Sequence, residues 1–463
     1  MKPNRIAPAA LALASLTLAT PASAQTACTA GTFDAAFGPA STGGFVPVGA
    51  RLAFVPNSGG GNTEGLDHTG TGQIVTGAIG GADGLGAGIF NVARLTASGS
   101  IDPVYGGAGV VAPFGTPSDV PLSSSTQQTR LDASGNTIAV RVWGDRITVN
   151  RFSATGQPDF AYGANGAASV ALTVIFPLVG LNVLANGSVL LATTAQNALN
   201  QQQAVVVKFT PSGLPDTTFG TAGIQWLSPL VAGGGTSILS RATDVLPLAG
   251  GQMLVAGRAR GGPGPFSGFI ARLNANGTLD TGFGSGGYAA YDWGGGRSTL
   301  VRKLALQSDG RIIAVGTALD ISGAGLNSGV VMRVLANGAL DVSYGAGGLT
   351  QITGPFGTNL FNVALQSNNK AIVSGAQYTA ADFSTQAGLV ARLTPGGSLD
   401  SVFGGSGVAT YSVPGTSSTG GGALAIRGNR VAITSNVTYG SGNTSQFGTV
   451  VLRYDIGTGT GCR

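Results

Sequence analysis

Histidine, glutamate and cysteine are nearly missing from this chain. One histidine, His68, and one glutamate, Glu64, stand among 463 residues. A single imidazole excludes multi-histidine zinc centres and leaves at most one histidine to serve as an acid or base; a surface loop is the expected setting for His68. Lysine occurs four times, charged residues make up 9% of the chain and no basic run exists, which argues against the electrostatic footprint of a nucleic-acid binder. Past the amino terminus, no segment is long and apolar enough to form a transmembrane helix. GxSxG, CxxC, P-loop and EF-hand patterns are absent, so no metal and no cofactor is expected.

The amino terminus carries a different signal. Lys2 and Arg5 form a basic start, Ala9 to Thr20 is apolar, and Ala22-Ser23-Ala24 supplies small residues for cleavage. Residues 1–24 therefore read as a signal peptide, with a mature chain of 25–463 exported to the periplasm or beyond the cell. Removing Lys2 and Arg5 takes the formal net charge from +5 to +3. The two cysteines, Cys28 and Cys462, lie near opposite ends of that mature chain. An even count in an exported protein reads as one disulfide, and closing so long a loop would contribute roughly 4–5 kcal/mol in the chain-entropy model. A lipoprotein reading centred on Cys28 is weaker, because Gln25 stands where leucine is usual.

What the chain has in abundance is repetition. A cation followed eight positions later by Asp-x-x-aromatic-Gly recurs as Arg94/Asp102/Tyr105, Arg151/Asp159/Tyr162, Lys208/Asp216/Phe219, Arg272/Asp280/Phe283, Arg333/Asp341/Tyr344 and Arg392/Asp400/Phe403. The aspartates step by 57, 57, 64, 61 and 59 residues. Asp34 to Gly38 is a copy without its cation, and Arg453-Tyr454 a copy without its aspartate. The broken copies complement each other, as the ends of a ring must. Each interval holds four strand-like runs; in that from Asp280 they are Tyr288 to Tyr291, Lys303 to Gln307, Arg311 to Val315 and Val330 to Leu335. Asp309-Gly310 is expected to close a two-residue hairpin. Runs such as Ile312 to Val315 are continuously apolar, which implies burial on both faces. Radially stacked sheets create that environment, so the expected fold is all-β, a single seven-bladed propeller of four-stranded antiparallel blades closed by the two termini. A parallel β-helix is the alternative, disfavoured by the hairpin turns.

Asn276-Gly277-Thr278-Leu279-Asp280-Thr281-Gly282-Phe283-Gly284, followed by Ser308-Asp309-Gly310-Arg311-Ile312-Ile313-Ala314-Val315-Gly316, resembles the delta-60 repeat of bacterial exported proteins. The likeness spans almost all of 25–463 and is weaker where Pro158 and Pro215 precede the aspartate. It implies a propeller and export, and brings no activity and no catalytic residues.

A ring of Asp34, Asp102, Asp159, Asp216, Asp280, Asp341 and Asp400 could bind cations, but residues identical in every blade serve what every blade needs. Each is expected to hold its own turn or pair with a repeat cation. Function is expected instead where the blades differ, on the face carrying the variable loops. Phe114, Trp293, Arg297, Phe356 and Phe383 lie on those loops and are the candidate contacts. Two classes of function follow. The first is a monomeric, non-enzymatic scaffold for ligand binding, adhesion or cell-envelope interaction, with a glycan or envelope protein as partner. The second is a periplasmic glycosidase, lyase or lactonase using aspartates such as Asp244, Asp292 or Asp382, provided two of them meet.

Overall fold

A computed structural model of the chain describes residues 33–34, 37, 50–52, 65–82, 88–111, 128–142, 145–321, 325–413, 415–439 and 446–457. The expected signal peptide, Cys28, Cys462, Glu64 and Phe114 lie outside these residues. The described chain forms seven four-stranded antiparallel sheets and no α-helix. The fifth runs, from the axis outward, Ser298–Leu306, Ile312–Leu319, Ser328–Val334 and Leu349–Ile352. Six sheets use consecutive strands. The seventh is composite: Ser418–Arg427, Arg430–Tyr439 and Gln446–Asp455 receive Ala50–Leu52 from the amino-terminal side as their outer strand.

Second strands are buried along most of their length because both their faces are covered. Ile312 to Ala318 and Val189 to Ala195 are buried throughout. Seven hydrophobic clusters fill the gaps, one for each pair of neighbouring sheets. Ile313, Val331, Leu360 and Val373 join the fifth and sixth, while Leu66, Ile74, Ala423 and Val451 join the first and seventh. Burying one such side chain contributes about 1.5–3 kcal/mol, so the core is distributed round a ring.

Two expectations are corrected. Tyr288–Tyr291 is not the first strand of the sheet holding Lys303 to Gln307; it pairs with Gly268 to Ala271 as the outer strand of the preceding sheet. The intervening turn folds the chain back on the strand it has just left, Arg272 N donating to the Gly287 carbonyl, and the crossing to the next sheet comes at 292–297. Asp309-Gly310 does not form a two-residue hairpin either. Leu306 pairs with Ile312, Gln307 N donates to the Arg311 carbonyl, and Gly310 alone of the dipeptide has positive φ, +82°. That is the wider loop with a glycine bulge, and the Asp309 carboxylate accepts the Arg311 amide at 3.0 Å.

Chain direction assigns the faces. Turns between first and second strands share one face with the Asp-x-x-aromatic-Gly connections. Loops between second and third strands, and crossings between sheets, emerge on the other.

Candidate functional site

The regular face is a belt of seven ion pairs. Nitrogen–oxygen distances are 2.8 Å for Arg94–Asp102, 2.6 Å for Arg151–Asp159, 3.0 Å for Lys208–Asp216, 2.7 Å for Arg272–Asp280, and 2.8 Å for both Arg333–Asp341 and Arg392–Asp400. Arg453 and Asp34, 419 positions apart, complete it at 2.6 Å. Each carboxylate thus has its cation. In the six complete copies its other oxygen accepts an amide two residues on, as from Ser343 to Asp341 at 3.2 Å. The cations also bridge to the next sheet: Arg272 donates to the Ala336 carbonyl, Arg333 to Pro395, and Arg453 to Ala97, from the last sheet to the first.

Beneath each cation lies the repeat aromatic, with the Arg333 guanidinium 4.8 Å from the Tyr344 ring centre and Arg453 4.4 Å from Phe37. The ring packs against a glycine of the neighbouring sheet. Gly397, at φ +94°, would place a Cβ 2.6 Å from the Gly345 nitrogen and 2.9 Å from the Tyr344 ring, so the recurrent turn glycine is required by close approach as well as by positive φ. Hydrogen bonds from Ser343, then Arg333, hold Asp341 below the usual carboxylate range. Burial pulls Asp400 up, but the hydrogen bond from Lys370 and the charge of Arg392 outweigh it.

The carboxylates considered for catalysis have local partners. Asp244, 1% exposed, accepts from Lys303 Nζ at 2.6 Å and from Leu304 N at 2.9 Å, clamping the fourth and fifth inner strands together. Asp292 accepts the Gly294 amide and Asp382 the Ser384 amide and hydroxyl. Burial, then the nearby Asp34 charge, raises the pKa of Asp455 at the junction of the termini. No cluster of three or more His, Cys, Asp or Glu residues suited to a metal occurs among the described residues. His68 is not on a loop: it ends the inner strand Leu66–His68 of the first sheet, half-buried, and desolvation lowers its pKa. The sequence hides this because residues 66–68 are too short a run to register as a strand.

On the variable face, Trp293 is half-buried against the core between the fourth and fifth sheets, its Nε1 donating to Met332 Sδ at 3.4 Å. It lines a cleft of about 450 Å³ with Tyr288, Tyr291 and Leu340. Arg297 donates to Ser328 Oγ at 3.3 Å. Phe356 is half-buried in the turn before Thr358, and Phe383, 48% exposed with φ +59°, meets Tyr378 edge-on at 5.0 Å. These aromatics are spread over successive loops.

A denser group was not anticipated from sequence. Arg241 on the strand Leu239–Pro247 and Arg258 and Arg260 on Met253–Arg260 surround the Phe266 ring, their guanidinium carbons 5.9, 4.9 and 5.0 Å from its centre. Arg302, the bulged residue of the next inner strand, is the third charge around Arg258: burial, then Arg241 and Arg302, push Arg258 down to about 9. Arg260 also lines a cleft of about 360 Å³ with Thr236, Pro263, Ser267 and Asp292. A signal was available, since none of these four arginines has an aspartate eight residues on.

Comparison with known proteins places the chain. A family model described as a domain of unknown function (DUF5122) beta-propeller matches residues 184–219, 251–283, 307–344 and 366–403. Each match runs from the turn after an inner strand to the repeat aromatic. A search by sequence among curated proteins finds no match. Among solved structures, a polysaccharide lyase, Uly1, is 9% identical with a TM-score of 0.50, over 86% of this chain and 90% of that one. Drosophila Semaphorin 2a is 10% identical with a TM-score of 0.46, over 89% and 76%. An alpha-L-arabinofuranosidase from Fusarium graminearum is also 10% identical, at 0.43, over 89% and 98%. At these identities the likeness is one of fold alone. The chain is a seven-sheet β-propeller repeat protein whose third to sixth sheets carry the DUF5122 motif.

Proposed function

We propose that this protein is an exported, non-enzymatic binding scaffold that presents its ligand surface on the variable-loop face. The observation that carries this reading is how the carboxylates are used. All seven repeat aspartates sit in ion pairs of the belt, and Asp244, Asp292 and Asp382 clamp strands or cap their own turns. A glycosidase needs two carboxyl groups facing one bond, and these have other work. The variable face, by contrast, carries Arg297, Trp293, Phe356 and Phe383 on loops that differ from blade to blade, borne by a rigid ring.

Trp293 and Arg297 remain candidate contacts with an evident packing share. A glycan and envelope-protein binding array on purified residues 25–463, with a hydrolysis readout in the same wells, tests the reading. Retention of a partner without turnover supports it; product release from any retained glycan overturns it. Normal binding by a Trp293→Ala, Arg297→Ala double variant removes those two residues from the contact surface.

A further inference from the structure

Two clefts adjoin at the end of the outer strand of the fourth sheet, Tyr288–Tyr291. One lies between that strand and the fifth sheet. Alternate residues leave a strand on opposite sides, so Tyr291 and Trp293 turn together toward the fifth sheet and line this cleft of about 450 Å³ with Met332 and Leu340. The other, of about 360 Å³, lies among the variable loops 231–236 and 260–267, with Thr236, Arg260 and Ser267 in its walls. Asp292, exposed between Tyr291 and Trp293, lines both. Each volume falls within the range of about 300–1,000 Å³ usual for small-molecule sites.

Packing of the repeat does not call for these walls. On the regular face a glycine such as Gly397 is present because a neighbour leaves no room for a Cβ; in the smaller cleft a Cβ at Gly234, Gly235 or Gly262 would meet no atom within 4 Å. Backbone without side chains lets a ligand approach closely. Asp292 and Arg260 are the charged residues lining the clefts, one of each sign, so a ligand without net charge matches them. Asp292 gives one oxygen to the Gly294 amide at 2.8 Å and, unlike the belt aspartates, enters no ion pair among the described residues. Ser267 Oγ accepts the Ala232 amide at 3.0 Å and keeps its own proton to donate. Trp293 Nε1 rests on Met332 Sδ, a weak acceptor that a ligand oxygen would outmatch. Hydroxyl groups, which both donate and accept, fit this set, and the apolar faces of sugar rings fit Trp293, Tyr291 and Leu340.

From these walls we infer a saccharide-binding groove at the variable-face rim of the fourth and fifth sheets, formed by Tyr291, Asp292, Trp293, Thr236, Arg260 and Ser267. Its ligand is a neutral, polyhydroxylated chain that lies across Asp292 with sugar rings in both clefts. The inference rests on the scaffold reading and names the chemistry of its ligand.

Calorimetric titration of the purified protein with cellohexaose, maltohexaose and N-acetylated chitohexaose, beside the acidic hexagalacturonate and the unfolded polypeptide gelatin, tests the groove. At least one neutral hexamer should bind saturably, and at least about tenfold tighter than its own disaccharide, because the longer chain reaches both clefts. Gly262→Phe is the discriminating variant. Gly262 is not at positive φ and open space surrounds its missing Cβ, so the new ring should fill the smaller cleft and weaken the hexamer at least about tenfold while the protein melts with the parent. Asp292→Asn, which keeps an oxygen for the Gly294 amide, should weaken it about fivefold by removing the charge from the hydrogen bond. The groove is refuted if no neutral hexamer binds, if hexagalacturonate or gelatin binds tighter than all three, or if Gly262→Phe binds as the parent does. Release of shorter sugars from a bound hexamer would sink the scaffold reading and leave the groove standing. An array partner retained equally by Gly262→Phe, with no hexamer bound, would do the reverse.

Discussion

Arginine stacks on an aromatic ring in two regions of this molecule, with opposite consequences. On the regular face Arg333 lies over Tyr344, its charge met by Asp341 at 2.8 Å and its other donors by the Pro395 carbonyl at 2.6 Å and Ser343 Oγ at 3.2 Å. The arrangement recurs in every sheet, with Lys208 standing in for arginine in the third. On the variable face Arg241, Arg258 and Arg260 lie about Phe266, on two paired strands of one sheet. That arrangement occurs once. The difference teaches that residue type does not separate structure from function here. Periodicity does: a contact that recurs in every sheet holds the ring together, and one that occurs once marks where a single blade departs from the repeat.

Breaking the belt should have the largest effect. Asp400→Ala leaves Arg392, 1% exposed, and Lys370 without their shared carboxylate, and a thermal melt should show a loss of about 3–5 kcal/mol. Gly397→Ala comes next, since the new Cβ would meet Gly345 N and the Tyr344 ring at positive φ; its cost should exceed about 1 kcal/mol. Acid should act on the belt as a whole. Asp280, Asp341 and Asp400 are held below the ordinary carboxylate value, so their contribution is complete above about pH 4 and is lost as pH falls through the depressed values. Melting temperature should be flat from neutral pH down to that point and fall beneath it, with Asp341→Asn blunting the fall. The smallest effect belongs to the variable face: Arg146→Gln, at an exposed pair with Asp145, should leave stability unchanged.

The sequence reading reached the fold because the fold is periodic. Seven blades, the complementary ends at Asp34 and Arg453, and the twice-covered second strands all leave marks that recur, and recurrence is visible without coordinates. It misplaced Tyr288–Tyr291 by one sheet, because an apolar tetrapeptide between two turns looks the same whether it pairs backward or forward. It read Asp309-Gly310 as the tighter hairpin because the dipeptide serves both loop lengths, and only pairing of Leu306 with Ile312 separates them. Arg241 and Arg258 went unnoticed for another reason. They are 17 positions apart in the chain and become neighbours only through strand register, and Arg302 joins them from a different blade.

The most direct test of the division between the two faces is a thermal melt of three proteins side by side: parent, Asp400→Asn and Arg146→Gln. The account predicts that Asp400→Asn melts well below the parent, because Arg392 and Lys370 lose the charge of their shared carboxylate, while Arg146→Gln, at an exposed pair with Asp145, melts with it. An Asp400→Asn protein that melts with the parent, or an Arg146→Gln protein that melts well below it, would contradict the account.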